Sequence, residues 1–565
     1  LLCALIQILF KKIRLKSVLI CLGTVLAIPL AGSLIFWGKD GILQELDSFK
    51  VFAGMAGHKS FPFWPDVFIT VGELRSAGWI KASCLSGGIL SLLITLTVLI
   101  VLSIKGIARE KSFNAGAFYM LLVCSGVLFF SVSVERFALL ATAPLSIGFM
   151  IAVQQIPGLL KALFRKLLTE KGRSAVFPVI IPLSAVILIC SIGETSFHAY
   201  KQIYKFRPIY NISWDRMMQY ISEKTEPNAI ITAWWSPGHF ITSKGMRRVS
   251  IDGATQNETR AYWVARLFTE SSEPEAVGIL RMLNSTGESL QNKMLNYGAE
   301  LPDIVRTLNR ILSFPKSITK QIFDTKFSAS ESDDLISSAF PDSVPDPSYL
   351  FIYKHMMDQI QALEYVGFWD FKKAEIFNDV IREHPDKIPA GALKRGSKAY
   401  VKLLWSMTKP PTPTPQEGDV ASRDASSARY TNGVSVGGSS QTVRIDSEVF
   451  GVGVPQWAYY MNGGKLQKQK IDHPTVNAAV IFTGEHLDES SLHMSQKTVL
   501  IHPRLADSIA ARLYWLKGAG LKFILPVFEE SDVTKNTRFV LYKVDWEGYY
   551  DFMRNLDKKL TASVN

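Results

Sequence analysis

Apolar positions crowd into the first third of the chain. There they run unbroken for about the 20 residues that a bilayer crossing needs. Five runs stand out: Ser17–Trp37, Ala82–Ser103, Ala115–Val134, Phe137–Ile156 and Ala175–Ile192, with Leu1–Phe10 resembling the tail of a sixth. Pro29, Pro144 and Pro178 lie inside them, which membrane helices tolerate because neighbouring groups satisfy the freed carbonyls. Buried helices of a soluble core do not easily account for so many runs in so short a stretch, so the pattern predicts a multi-pass helical bundle in a lipid bilayer. Beyond Ile192 the pattern changes to short apolar runs between amphipathic stretches. "NAIITAWW" and "RRVSIDG" predict short strands, and "ETRAYWVARLF" and "SSEPEAVGILRML" predict helices. Ser272 and Glu275 form a capping-box pattern at the start of the second helix, with Pro274 in its first turn.

The stretch 409–441 is rich in Pro, Ser and Gly and is expected to be a linker or exposed loop. After it, "NAAVIFTG", "KTVLIHP", "LKFILPVF" and "RFVLYKVDW" predict strands, with a helix across "RLADSIAARLYWLKGAG". The expected organisation is a transmembrane region over 1–192, a mixed α/β domain over 193–408, the linker at 409–441 and a β-rich module over 442–565.

Charge orients this arrangement. The net charge is +12, which alone would suit a nucleic-acid partner. However, twelve Lys and Arg fall in "KKIRLK", "IKGIAREKSFN" and "GLLKALFRKLLTEKGRS", between apolar runs. The longer loop from Gly38 to Lys81 holds only five, roughly matched by acids. Basic loops stay inside, so the Gly38–Lys81 loop and everything after Ile192 are expected outside. The positive charge is then a topology signal, and no nucleic-acid partner is expected. All five cysteines (Cys3, Cys21, Cys84, Cys124, Cys190) lie in or beside the apolar runs, so the outer part relies on its core instead of disulfides. The chain opens "LLCALIQILF" without an initiator Met and is expected to begin part-way through a longer protein.

Three features on the expected outer face could carry chemistry. Glu73, in "DVFITVGELR", sits among aromatic and branched residues. It could bind a cation or accept from a polar substrate, or simply pair with Arg75. Arg136 stands at the mouth between two apolar runs, either as a snorkelling anchor or as an anion contact whose planar fork suits phosphate. Glu135 beside it permits a plain ion pair. Trp234 and Trp235 are two core aromatics at a strand end, or side chains presented by the tight turn that Pro237 and Gly238 imply.

Taken in order, these residues resemble the catalytic subunit of oligosaccharyltransferase, which N-glycosylates asparagine. The family's Trp-Trp-Asp-Tyr-Gly motif reads here Trp234-Trp235-Ser236-Pro237-Gly238, and its outward-loop Thr/Ser-Ile/Val-x-Glu matches Thr70-Val71-Gly72-Glu73. Four membrane helices separate loop and outer domain in both, and Arg136-Phe137 matches an Arg-Phe pair at the outer mouth. "IDGATQNETRAYWVARLFT", "YKHMMDQIQALEYVGFWDF" and "ADSIAARLYWLKGAGL" are similar to stretches of archaeal-type members, so the resemblance covers nearly the whole chain.

The resemblance implies the C-terminal half of a GT-C-type polytopic bundle followed by an extracytoplasmic mixed α/β domain with a β-rich C-terminal module. It implies transfer of an oligosaccharide from a lipid-linked (polyprenyl or dolichyl) diphosphate donor to Asn in Asn-x-Ser/Thr. Glu73 would bind a divalent metal, Mg²⁺ or Mn²⁺, and engage the acceptor amide. Arg136 would contact the donor diphosphate, and His239 would lie near the first donor sugar. Trp234, Trp235 and Ser236 would grip the hydroxyl two residues after the acceptor Asn, with further contacts from Met356 and Gln359; Gln359 stands where the family has Lys. The partners implied are the donor lipid, acceptor polypeptides, the bilayer and accessory subunits.

An amide nitrogen is a poor nucleophile because its lone pair is delocalised. Carboxylates bonding both its N–H groups would weaken that delocalisation and position it. The family's other metal-binding carboxylates lie in earlier outward loops, so this chain alone is expected to show no transfer to an Asn-x-Ser/Thr peptide. Ser236 lacks the charge of the expected Asp, which predicts altered sequon selectivity. Two other readings stay open: a related lipid-donor glycosyltransferase with another acceptor, and a degenerate, non-catalytic membrane binding protein. The chain also carries three sequons, at Asn211, Asn257 and Asn284, which leave self-modification open.

Overall fold

The computed structural model describes residues 61–71, 77–109, 114–133, 135–167, 177–205, 210–255, 257–341, 343–388, 393, 398–408, 434–436, 443–445, 455–462, 465–471, 478–482, 498–532 and 537–562. The chain divides into two compact units. One takes in Leu1–Lys59, Phe68–Ile209 and Ala390–Val401, and the other Ser60–Val67, Tyr210–Pro389 and Lys402–Asn565.

The first unit is built on α1 (Gly78–Leu85), α2 (Ile89–Arg109), α3 (Ala115–Ser133), α4 (Ala138–Leu167) and α5 (Ile180–Lys205). Leu92 and Leu99 of α2, Cys124 and Leu128 of α3, and Ala141 and Leu145 of α4 form one buried cluster. A Cβ on Gly148 would come within 2.9 Å of Thr95 and 3.1 Å of Cys124. That glycine lets α4 approach both neighbours, the small-residue packing usual between membrane helices. Among the described residues two helical segments, Glu135–Phe164 and Ile180–Lys201, are long and apolar enough to cross a membrane. The bent pair α1–α2 adds a third, and α3 is apolar but shorter. The run expected at Ser17–Trp37 lies outside the described residues.

The expected straight span over Ala82–Ser103 is broken. α1 and α2 meet at 90°, across Gly87 and Gly88 with φ of 119° and 102°, conformations that favour glycine. The new helix start leaves backbone N–H groups without partners. Glu194 of α5 receives them, accepting from Ile89 N at 2.9 Å and Leu90 N at 2.8 Å. The same α5 runs through the boundary expected at Ile192 and ends only at Lys205.

The second unit contains α6 (Ile212–Lys224), β1 (Ile230–Thr232), α7 (Gly238–Ser243), β2 (Arg248–Val249), α8 (Glu258–Thr269), α9 (Glu273–Ser285) and α10 (Ser289–Asn296). It continues with α11 (Leu301–Ile311), α12 (Lys316–Asp324), α13 (Ala329–Ala339), β3 (Ser348–Tyr353), α14 (Lys354–Asp358), α15 (Ile360–Gly367), α16 (Phe371–Glu383) and α17 (Lys398–Ser406). The remaining elements are β4 (Val434–Val436), β5 (Val443–Ile445), β6 (Trp457–Asn462), β7 (Lys465–Lys470), β8 (Ala479–Phe482), β9 (Thr498–Ile501), α18 (Ile509–Tyr514), β10 (Ile524–Asp532), β11 (Thr537–Val544) and α19 (Trp546–Ala562).

The central sheet has the order β10-β11-β3-β1-β2. β2, β1 and β3 run parallel, while β11 pairs antiparallel with β3 and with β10. The last two strands, expected in the C-terminal module, therefore complete the α/β sheet. β3 is buried at every position, so it needs a partner on each edge, and β11 supplies the second. Trp214 of α6 covers the face, 5.7 Å from Phe351 and 4.7 Å from Phe539. A second sheet, β7-β6-β8-β9, has its own core of Tyr459, Ala479, Ile481 and Leu505. The helix expected over the stretch from Arg504 is reduced to α18, six residues long.

Glu273, at the start of α9, joins α9 to the segment that leads into β10. Its carboxylate accepts from the backbone N–H groups of Lys522, Phe523 and Ile524 at 2.7–3.1 Å. The capping box expected here is only half formed. Ser272 Oγ accepts from Glu275 N at 3.5 Å, but the Glu275 side chain turns to Arg266. A complete box occurs instead at Ser328 and Glu331.

Candidate functional site

β1 is the branch point of the sheet. The chain leaves it to one side for β2 and returns to the other side for β3. In open α/β sheets the crevice outside the carboxyl ends of strands, where the order reverses, is the usual place for a ligand. The loops leaving β1, β2 and β3 carry residues 233–239, 250–255 and 354–359, and they meet there. Six of the eight residues that the sequence singles out come from two of these loops: Trp234, Trp235, Ser236 and His239 after β1, and Met356 and Gln359 after β3.

The two tryptophans are not equivalent. Trp234 is 1% exposed and belongs to the core. Trp235 is partly exposed, yet its indole Nε1 is buried and has no hydrogen-bond partner among the described residues. A buried donor left unmatched costs on the order of 1–3 kcal/mol, so this group would gain from an acceptor that reached it. The backbone turns sharply after it, with Gly238 N donating to Trp235 O at 3.1 Å. Ser236 Oγ lies 2.5 Å from Tyr353 OH, which ties the β1 loop to the end of β3. Burial pushes the Tyr353 phenol well above its usual range, opposed by the Ser236 hydrogen bond, so it stays protonated. One Ser236 hydroxyl oxygen retains capacity for a second hydrogen bond.

The β2 loop closes the other side. A Cβ on Gly238 would lie 2.7 Å from Asp252 Cα and 2.8 Å from Ile251 O, so only glycine fits there. Asp252 Oδ1 accepts from Ala254 N at 3.0 Å, Thr255 N at 2.8 Å and Thr255 Oγ1 at 2.7 Å. Burial raises the Asp252 pKa, but these bonds and the His239 ring outweigh it and hold the carboxyl below its ordinary value. His239 is exposed, with Nδ1 3.9 Å from Asp252 Oδ2. After β3, Met356 is fully buried, whereas Gln359 is partly exposed with Nε2 3.0 Å from His355 Nε2.

Tyr353 and Asp252 escaped sequence analysis. Their signal is positional: each ends or follows a parallel strand beside the branch. Arg136 belongs to the first unit and is exposed. Its neighbour Glu135 accepts from Lys81 Nζ at 2.6 Å. Glu73 lies outside the described residues. Among the described residues no group of three or more His, Cys, Asp or Glu could hold a metal ion; these residues do not by themselves fit a divalent ion.

Part of the loop that carries Glu73 is nevertheless placed. Phe61 N donates to Asn378 Oδ1 at 2.9 Å, and Trp369 Nε1 donates to Phe63 O at 2.8 Å. Trp64 packs edge-on against Phe371 at 5.0 Å. Residues 60–67 are thus part of the α/β unit. The three sequon asparagines are all engaged. Asn211 and Asn257 cap α6 and α8 through their side-chain oxygens, and Asn257 Nδ2 donates to Glu288. Asn284 Nδ2 donates to Ser348 Oγ at 2.9 Å. The Nδ2 contacts of Asn257 and Asn284 speak against modification of those two in the folded chain.

No family model matches the chain. It is 26% identical over 551 residues to the dolichyl-phosphooligosaccharide-protein glycotransferase of Methanocaldococcus jannaschii, covering 86% of this chain and 56% of the relative. It is 25% identical over 412 residues to the protein of the same name from Methanococcus voltae, covering 59% of this chain and 44% of that one. The chain thus spans about half the length of these curated relatives. A solved archaeal oligosaccharyltransferase from Archaeoglobus fulgidus, in complex with an inhibitory peptide and a dolichol-phosphate, aligns with 94% of the chain and 45% of its own length. Identity is 11% and the TM-score 0.41, too low to establish a common fold. Over most of its length, then, the chain is similar to the archaeal dolichyl-phosphooligosaccharide-protein glycotransferases.

Proposed function

We propose that this chain is part of a membrane oligosaccharyltransferase. It transfers an oligosaccharide from a lipid-linked diphosphate to the side-chain amide of Asn in Asn-x-Ser/Thr. The observation that carries the reading is the unmatched Trp235 Nε1 beside Ser236, in the crevice at the branch of the sheet. An acceptor hydroxyl both donates and accepts. It can accept from the indole N–H and exchange a hydrogen bond with Ser236 Oγ, while Tyr353 holds the serine in place. Met356 and Gln359, in the segment after β3, are assigned to further acceptor contacts. His239, 3.9 Å from Asp252, is assigned to the donor sugar.

On the helical unit, which we read as part of a GT-C-type bundle, Arg136 is assigned to the donor diphosphate. Its guanidinium would stabilise charge on the leaving group. Residues 61–67, which precede Glu73 in the sequence, pack on the α/β unit, and this supports reading that loop as extracytoplasmic. Glu73 is assigned to the acceptor amide and to a divalent ion, Mg²⁺ or Mn²⁺, which would organise carboxylates around that amide; no step is derived through it. The test uses the full-length protein with a lipid-linked donor and an Asn-x-Thr peptide. Arg136→Gln is expected to lower turnover about a hundredfold while leaving peptide affinity unchanged. Full turnover in this variant would remove Arg136 from the reaction.

A further inference from the structure

We propose a second binding site, for a sugar that bears a carboxylate, in a cavity of about 410 Å³ between the end of α8 and the sheet β7-β6-β8-β9. That volume is within the roughly 300–1,000 Å³ of small-ligand sites. The proposal goes beyond the acceptor crevice, since none of the crevice residues lines this cavity.

Three lining groups keep unused hydrogen-bonding capacity. Tyr459 is 1% exposed and, among the described residues, its hydroxyl makes no well-aimed hydrogen bond, with the Lys468 ammonium standing beside its ring. Glu270 is 7% exposed. Arg266 Nη2 stands 2.6 Å from Glu270 Oε2, yet this oxygen receives no hydrogen bond, so the contact is an ion pair without an aimed N–H. Arg504 donates one N–H to Thr408 O at 2.9 Å and stacks 3.9 Å above Phe368. Among the described residues it has no carboxylate within ion-pair distance, whereas Arg266 is paired with Glu270, and Lys468 with Asp507 at 3.5 Å.

This set selects its ligand. Arg504 calls for a carboxylate, because a guanidinium fork binds one in a bidentate manner. Glu270 repels a bare anion and accepts from a hydroxyl. Tyr459 can donate or accept. A polyhydroxylated ring with one acid group meets all three at once. A neutral sugar leaves Arg504 unmatched, and an inorganic anion leaves Glu270 opposed.

Glucuronate, glucose and glycylglycine would be titrated against the full chain in detergent and followed by saturation-transfer NMR. Glucuronate is expected to bind about tenfold more tightly than glucose. Arg504→Met, which keeps the stem over Phe368, should reduce glucuronate affinity about tenfold. Tyr459→Phe removes only the hydroxyl and should reduce it about threefold. If Arg504→Met does not fold, as judged by its melting curve, the Tyr459→Phe result decides. Equal binding of glucuronate and glucose, tighter binding of glycylglycine, or wild-type affinity in both variants would overturn the proposal. Trp235→Phe should leave glucuronate affinity unchanged, which separates this test from the acceptor reading.

Discussion

The two halves of the central sheet treat their polar groups in opposite ways. On the antiparallel side, Glu226 accepts from Tyr349 OH at 2.6 Å and from Lys543 Nζ at 2.5 Å, linking β3 to β11. Burial raises its pKa, but these bonds outweigh it and hold the carboxyl below its usual value. Arg538 of β11 binds both oxygens of Glu529 on β10. On the parallel side, Trp235 Nε1 has no partner, and Ser236 meets only Tyr353 among the described residues. The pairs made by Glu226 and Glu529 saturate the strands of the first half and hold them together, although Trp546 Nε1, Tyr549 OH and Tyr550 OH, just beyond β11, have no partner among the described residues. The half with unmatched donors is where a ligand gains most, because the desolvation cost of those groups is already present.

If that division is correct, the largest effect on stability should come from the saturated half. Glu273→Ala leaves the N–H groups of Lys522, Phe523 and Ile524, the last two buried, without an acceptor. Chemical denaturation should show a loss of about 4 kcal/mol, and a loss below about 1 kcal/mol would mean that water replaces the carboxylate easily. The tryptophan pair divides the same way on a smaller scale. Trp234→Phe should lower stability by about 2 kcal/mol, since a fully buried ring loses volume. Trp235→Phe should change stability by less than about 0.5 kcal/mol while weakening acceptor peptide binding about tenfold. The reverse pattern would break the comparison at its centre.

The smallest expected effect concerns pH. Asp252 has a lowered pKa in the folded chain. Its stabilising contribution is therefore complete above the ordinary carboxyl pKa of roughly 3.9 and is lost as pH falls through the lowered folded value. Melting curves should show Asp252→Asn less stable than the parent near neutral pH by about 1 kcal/mol or less, with the difference vanishing in acid. A difference independent of pH would mean that the loop depends on shape and not on this charge.

What the sequence disclosed follows from the range of each interaction. The apolar runs that became α3, α4 and α5 are local signals, and they are visible in one helix length. The break at Gly87–Gly88 is also local, but it hides inside an apolar run. Its cause, Glu194, is 105 residues from Ile89. β10 and β11 were recognisable as strands, yet nothing local tells β11 to pair with β3 instead of β8. At the site, the order and chemistry of Trp234, Trp235 and Ser236 were legible. Tyr353 was not, because the hydroxyl that fixes Ser236 is 117 residues away. The exclusion of any side chain at Gly238 is equally invisible until the Asp252 backbone is in place.

The central claim, that the β1 loop recognises an acceptor hydroxyl, is tested most directly with two peptides. Affinities of Asn-x-Thr and the isosteric Asn-x-Val would be measured by calorimetry on the full-length protein and on its Trp235→Phe and Ser236→Asp variants. The wild type is expected to prefer Thr by about tenfold, with Trp235→Phe bringing the ratio near one and Ser236→Asp widening it about fivefold. A ratio unaffected by both substitutions would contradict that claim.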